Sequence, residues 1–289
     1  MEITPVLRWA GGKSQILKQL STNFPQDFNY IKNRFYEPFI GGGALSWSLA
    51  AKLPSKNLYI NDINGDLINL YLTIKDQPNE LISELKKLKK DTSKERYYEI
   101  RTLKPSKHNY INAARFIYLN KTSFNGIHRV NSKGEFNVPY GNIKEPKIFD
   151  EDNIHALSIY LKEAKIRNQS YISALSDARK GDLVYLDPPY IPLNTTSSFS
   201  KYAKDDFLEL DQYGLRGCIE GLNKRGVNIL FSNSSSPLVK DIFGDILDLR
   251  TITLQRNIGA SVESRGKIKE TLGVNYDISN LPLGSHEKL

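Results

Sequence analysis

Along the chain, short unbroken apolar runs alternate with segments whose apolar residues recur every three or four positions. The runs predict strands and the periodic segments predict helices. A helix is expected over 14–20, a first strand over 34–39, the tight turn Ile40-Gly41-Gly42-Gly43, a helix over 44–53, and a second strand over 58–62 that ends in Asp62. Helices are then expected over 64–75, 78–90, 93–103 and 110–121. Residues 122–147 break the periodicity with turns and aromatics, and Asn131-Ser132-Lys133-Gly134 predicts the tip of a hairpin-like loop. Asp150 is placed to cap a helix that runs to about residue 165. The alternation resumes with strands over 166–171 and 182–187, a polar loop at 192–200, a helix over 206–225 and a strand over 227–231. Two last strands, 246–254 and 270–276, flank a basic loop at 256–267. The order predicts an α/β sheet domain in two parts, 1–74 and 166–278, an inserted mostly helical domain, 75–165, and a flexible tail, 279–289.

The expected strand at 182–187 carries the most informative chemistry. It runs apolar up to an acid and stops at Asp187-Pro188-Pro189-Tyr190. Proline cannot donate to a sheet ladder, so the strand ends by Asp187. A carboxylate, a constrained carbonyl and an aromatic ring then sit at the carboxyl end of a strand, where open α/β sheets bind ligands. The glycine turn at 41–43 followed by Asp62 about 20 residues on is the spacing of a nucleoside-binding βαβ unit, whose acid accepts from ribose hydroxyls. The spacing alone does not separate a nicotinamide from S-adenosylmethionine, although Ser46 stands where the nicotinamide fingerprint has its third glycine. Near the N-terminus, Gly11-Gly12-Lys13-Ser14 has the look of a phosphate loop, but Leu7 stands where that loop needs glycine, which excludes a nucleotide triphosphatase of that type.

Composition adds a partner class. The 289 residues have a net charge of +8 and a pI near 9.2, and residues 91–147 alone hold 11 Lys/Arg against 5 Asp/Glu. A basic insert suits a polyanion, or else is simply a solvated basic surface. Cys218 is the only cysteine, which excludes disulfides within the chain and cysteine-based zinc sites; no metal site is expected. The N-terminus has no signal-peptide character and no apolar run reaches roughly 18 residues, so a cytoplasmic protein is expected.

Three separated motifs, Trp9-Ala10-Gly11-Gly12-Lys13, Glu37-Pro38-Phe39-Ile40-Gly41-Gly42-Gly43 and Asp187-Pro188-Pro189-Tyr190, occur in this order with the insert between the second and third. The insert adds Phe124-Asn125-Gly126-Ile127-His128-Arg129 and Glu135-Phe136-Asn137-Val138-Pro139-Tyr140-Gly141. From about residue 5 to residue 276 the chain resembles the Dam-type, D12 class adenine-N6 DNA methyltransferases. The resemblance implies a Rossmann-like S-adenosylmethionine-dependent sheet with 75–165 as target-recognition domain. It implies catalysis by Asp187, Pro188 and Tyr190 on an adenine flipped out of duplex DNA. The cofactor would be held by Trp9, Ala10, Gly11 and Lys13 at its methionine end, by the backbone near Phe39, Gly41 and Gly43, by Asp62 with Ile63 at the ribose, and by Asp187. Tyr171 would flank the cofactor adenine or belong to the core.

For DNA, the resemblance implies that Arg129 reads a guanine, that Ile127 and Pro139 lie near a thymine methyl, and that Phe124 wedges into the stack. Asn125 would hold a phosphate, Arg8 the outer base pair or a phosphate only, and Arg256, Arg265 and Lys267 further phosphates. The implied target is GATC, with a different sequence, N4 of cytosine or RNA as the alternatives. A non-enzymatic DNA-binding protein is disfavoured because Asp187, Lys13 and Asp62 are all present. A restriction endonuclease acting on the same site is an expected functional partner without a stable complex, and a monomer is the default expectation.

Overall fold

The computed structural model describes residues 2–9, 11–13, 16–190, 207, 209–255, 267–278 and 287–288, with the backbone alone at 254–255, 267–268 and 287–288. In chain order the elements are α1 (Leu17–Thr22), β1 (Phe35–Glu37), α2 (Ala44–Ser48), β2 (Leu58–Asn61), α3 (Gly65–Asp76), α4 (Pro78–Leu88), α5 (Lys94–Thr102), α6 (Asn109–Thr122), α7 (Glu151–Leu161), β3 (Lys165–Arg167), α8 (Tyr171–Ala174), β4 (Leu183–Leu186), α9 (Glu209–Lys224), β5 (Asn228–Ser234), α10 (Pro237–Phe243), β6 (Asp248–Gln255), β7 (Lys267–Val274) and β8 (Glu287–Lys288). They group into two compact units, Met1–Ser14 with Ile40–Tyr171, and Gln15–Phe39 with Ile172–Leu289.

In the first unit β2 and β3 pair in parallel, Ile60 opposite Ile166. Around them stand α3, α4, α6 and α7, with α6 at the centre: Ala113, Ala114, Ile117 and Tyr118 are fully buried. The sequence explains each helix locally. Asn64, Ser93 and Asp150 accept from the backbone N–H three residues on and so cap α3, α5 and α7. Pro78 opens α4, whose buried residues Leu81, Ile82, Leu85 and Leu88 form one apolar stripe.

In the second unit the strand order is β1-β4-β5-β7-β6-β8. The β1–β4 and β4–β5 pairs are parallel, while β7 lies antiparallel between β5 and β6. Every residue of β4 is buried, as a central parallel strand requires. Arg34 and Asp182 tie the starts of β1 and β4 together: the Arg34 backbone N–H and guanidinium both donate to the buried Asp182 carboxylate, at 3.0, 2.9 and 2.6 Å. Parallel strands with covering helices and an antiparallel end form the Rossmann-like α/β fold expected.

Several local expectations change. α2 is shorter because the hydrogen bonds switch to the i→i+3 type at Leu49 and Ala50. β3 stops at Arg167 because Asn168 turns the chain, its amide donating to the carbonyls of Asp62 and Ile63; Tyr171 accordingly begins a helix. β5 runs on to Ser234 because β7 pairs with it through Thr271 and Glu270. Helix α10, opened by Pro237, was not foreseen. In the tail, Glu287 and Lys288 pair with β6. Among the described residues, no helix is long and apolar enough to cross a membrane.

Candidate active site and nucleic-acid interface

In the second unit, β4 ends at Leu186, and Asp187 is the first residue past the ladder. The register pairs Leu186 with Phe231 and brings Ser232 beside Asp187. Ser232 Oγ, fully buried, donates to Asp187 Oδ1 at 2.8 Å. The Tyr185 hydroxyl lies 3.0 Å from the same Oγ. A serine has one proton to give, and it goes to the carboxylate, so Tyr185 is the donor in the second bond. Burial, and after it the charge of Asp187, holds the Tyr185 phenol far above its ordinary pKa, so it stays protonated. Tyr190 is raised likewise by burial and by the Asp187 and Glu270 carboxylates, and remains a neutral ring. Gln212, buried on α9, donates to the Pro189 carbonyl at 3.2 Å and holds the backbone one peptide beyond Pro188. Pro188 itself is buried. Phe39, half-buried, meets Phe207 edge-on at 6.0 Å. One Asp187 oxygen is thus fixed by a hydroxyl chain that runs back through Ser232 to Tyr185.

In the first unit, the glycine turn is built around two indoles. Gly41 has φ 46, and a Cβ there would stand 2.7 Å from Trp9 Cδ1. Gly43 has φ 71, and a Cβ there would stand 2.2 Å from Trp47. Trp47 Nε1 donates to the Gly42 carbonyl at 2.8 Å, and the Tyr71 hydroxyl donates to the Gly41 carbonyl at 2.6 Å. Asp62 closes the cradle: Oδ2 accepts from the Gly41 N–H at 3.1 Å and Oδ1 from the Asn64 N–H at 3.0 Å. Burial raises the Asp62 pKa above its ordinary value, against these N–H donors, which lower it. Ile63 beside it is 76% exposed, an apolar surface next to the acid. Lys13 is buried, and its ammonium donates to the Gly11 carbonyl at 2.7 Å, so it braces its own loop. Tyr171 is half-buried at the start of α8, not enclosed in the core. The bare backbone at Gly41 and Gly43, with an acid and an indole at its edge, fits a nucleoside cofactor that must approach the chain closely.

The same unit carries the residues expected to meet DNA. A bridge from Ser123 to Tyr140 and another from Val130 to Phe136 make a narrow hairpin. Its tip is the predicted turn, with the Gly134 N–H donating to Asn131 O at 2.9 Å. Phe124, Asn125, Ile127, Arg129, Pro139 and Arg8 are all exposed. The Arg129 guanidinium is oriented by Asn137, Nε to Oδ1 at 2.7 Å. Inside the hairpin His128 stacks on Trp9 at 5.7 Å and meets Phe116 and Phe136; burial lowers its pKa. Ala10, Arg256 and Arg265 lie outside the described residues, as does the Lys267 side chain. Sequence reasoning missed Ser232, Tyr185, Trp47, Asn168 and His128. Strand register would have found Ser232, and the φ demanded by the glycine turn would have pointed to a bulky neighbour such as Trp47. Among the described residues, no group of three His, Cys, Asp or Glu could hold a metal ion.

Residues 9–258 match the family described as D12 class N6 adenine-specific DNA methyltransferase. The chain is 42% identical over 283 residues to the type II methyltransferase M1.LlaDCHI of Lactococcus lactis subsp. cremoris, covering 96% of each. It is 41% identical over 295 residues to the type II methyltransferase M.MjaIII of Methanocaldococcus jannaschii, covering 96% of this chain and 100% of the relative. To the DNA adenine methylase of Escherichia coli K12 it is 31% identical over 271 residues, covering 93% and 94%. The chain belongs to the D12 class of N6 adenine-specific DNA methyltransferases.

Proposed function

We propose that this adenine-N6 DNA methyltransferase takes its methyl group from S-adenosylmethionine and delivers it to an adenine flipped out of duplex DNA, within GATC. When bound, S-adenosylmethionine supplies an electrophilic sulfonium methyl. The observation that carries the reading is the anchored carboxylate of Asp187, at the end of a fully buried strand and held by Ser232 and Tyr185. The exocyclic nitrogen of adenine is a poor nucleophile because its lone pair is delocalised into the ring. Acceptors aimed at its N–H bonds favour the pyramidal geometry and the positive charge that develop on attack. Asp187 and the Pro188 carbonyl provide them, and proline fixes the carbonyl's direction. Preplaced groups of this kind are worth about 3–4 kcal/mol each. The proton leaves to solvent afterwards, so Asp187 acts as a fixed acceptor, not as a strong base. The neutral ring of Tyr190 stacks on the base, which offsets part of the unstacking cost of flipping, a few kcal/mol.

Trp9, Ala10, Gly11 and Lys13, the backbone at Phe39, Gly41 and Gly43, and Asp62, Ile63 and Tyr171 hold the cofactor. Residues 75–165 form the target-recognition domain. There Arg129 reads a guanine, Ile127 and Pro139 meet a thymine methyl, Phe124 wedges into the stack beside the flipped adenine, Asn125 holds a phosphate, and Arg8 touches the outer base pair or a phosphate only. Arg256, Arg265 and Lys267 add phosphate contacts. Two relatives are named as type II methyltransferases, which supports protection of a site cut by a restriction endonuclease. The test is incubation with labelled S-adenosylmethionine and duplexes that differ only in the tetranucleotide. Label in adenine of the GATC duplex alone is expected. Label in cytosine, in RNA only, or equally in a scrambled duplex would overturn the assignment.

A further inference from the structure

We infer that Asn120 is a positioning residue that joins the proposed cofactor loop to the proposed DNA-recognition turn, so that occupancy of one site changes affinity at the other. The inference rests on the roles proposed above for Trp9–Lys13 and for Phe124–Arg129.

Asn120 lies in the last turn of α6 and is 2% exposed. Its Oδ1 accepts from the Arg8 N–H at 2.9 Å, and its Nδ2 donates both to the Arg8 carbonyl and to the Gly126 carbonyl, each at 2.8 Å. One amide therefore grips the Arg8 backbone as a neighbouring strand would, and holds the recognition turn with its remaining proton. Gly126 completes the joint. Its φ is 65, and a Cβ there would stand 2.6 Å from Arg8 Cβ and 2.7 Å from Arg8 Cδ, so the Arg8 side chain lies against the Gly126 backbone with no room for a methyl group. Asn125 beside it also lies in the left-handed region, at φ 55.

A second connection runs through the rings. Trp9 follows Arg8 directly, lies over Gly41 and stacks on His128, two residues past Gly126, at 5.7 Å and 19°. A shift of the Trp9–Lys13 loop thus moves Arg8 and Gly126 together. It re-aims Phe124 and Asn125 on one side of Gly126 and Ile127 and Arg129 on the other. Packed interiors switch between discrete arrangements instead of deforming continuously, so such a joint transmits a small displacement.

The test uses the full chain, S-adenosylhomocysteine as unreactive cofactor analogue, and a fluorescent GATC duplex. The readout is the ratio of DNA dissociation constants without and with saturating analogue. For the unaltered protein a ratio of at least about 5 is expected, the lower end of typical coupling. Asn120→Asp keeps the acceptor for Arg8 N–H but loses both donor bonds. Gly126→Ala attacks the joint from the other side. In both, the ratio should fall to about 1–2, while binding of the analogue alone stays within about threefold. A purely structural Asn120 would lower thermal stability and leave the ratio unchanged. An unchanged ratio in either folded variant, or loss of fold in both by circular dichroism, overturns the inference. A ratio near 1 in the unaltered protein overturns it too, yet methyl transfer to the same duplex by the same preparation would leave the proposed function standing. Failure of methyl transfer to every duplex would overturn both.

Discussion

Ser232→Ala removes one oxygen and leaves the Asp187 backbone, sequence and charge untouched. The lost bond runs from a fully buried hydroxyl to a carboxylate at 2.8 Å. Hydrogen bonds to charged groups are worth about 1.5–3 kcal/mol net. If that energy holds Asp187 in the orientation that receives the adenine amino group, its loss appears in the chemical step. At about 1.36 kcal/mol per tenfold, kcat should fall by about 10- to 150-fold. The Michaelis constants for cofactor and DNA should stay within about threefold, because Ser232 would touch neither. Tyr185→Phe removes the donor behind Ser232, a bond between neutral groups worth about 0.5–1.5 kcal/mol, and should cost about 2- to 10-fold in kcat. The assay is steady-state transfer of labelled methyl at varied cofactor and GATC duplex, with single-turnover rates and thermal unfolding recorded in parallel. A folded Ser232→Ala protein with kcat within about threefold of the unaltered enzyme would refute the reasoning and reduce Ser232 to a strand filler.

Arg129→Ala should relax discrimination at one guanine by about 1–3 kcal/mol, read as relative kcat/KM on duplexes substituted at that position; a uniform loss across all duplexes would make Arg129 a phosphate contact. Gly43→Ala forces a left-handed residue and a methyl into Trp47, and should cost at least about 2 kcal/mol of stability by urea unfolding; an unchanged midpoint would contradict the indole-backed turn. For His128, burial lowers the folded pKa below the unfolded value of 6.5, so the unfolded state takes up more protons as the pH falls. Stability is therefore lost from about pH 6.5 downward through the folded pKa. His128→Phe should unfold with a flatter dependence on pH between 7 and 5, and identical slopes would show that His128 takes no part.

What the sequence showed well was local. Asp187-Pro188-Pro189-Tyr190 marked a strand end because proline chemistry is written in the chain itself. The Asp150 cap and the Asn131–Gly134 tip are equally local signals, and both stand where the pattern put them. The glycine turn and Asp62 were legible as a pair, and the Gly41 N–H to Asp62 bond explains why the spacing matters: the acid holds the turn. What stayed hidden depends on partners far along the chain. Ser232 and Asp187 meet only through the β4–β5 register across 45 residues, and Asn120 reaches Arg8 across 112. Ser232, Asn233 and Ser234 include none of the β-branched or aromatic residues that favour strands, and it is β7 that extends β5 through them. Asn168 ended β3 early through bonds to Asp62 and Ile63, over a hundred residues away. The bond from the Lys13 ammonium to the Gly11 carbonyl, which ties that cation to its own glycine loop, was not legible either.

In the mechanism proposed above, Asp187 shapes an amino nitrogen for attack on a methyl group. Asp187→Ala with a GATC duplex and labelled S-adenosylmethionine, followed in a single turnover, tests it most directly. Transfer should fall by at least about 100- to 1,000-fold, while binding still distinguishes the GATC duplex from a scrambled one. Retained turnover, within about tenfold of the unaltered enzyme, would remove Asp187 from the mechanism.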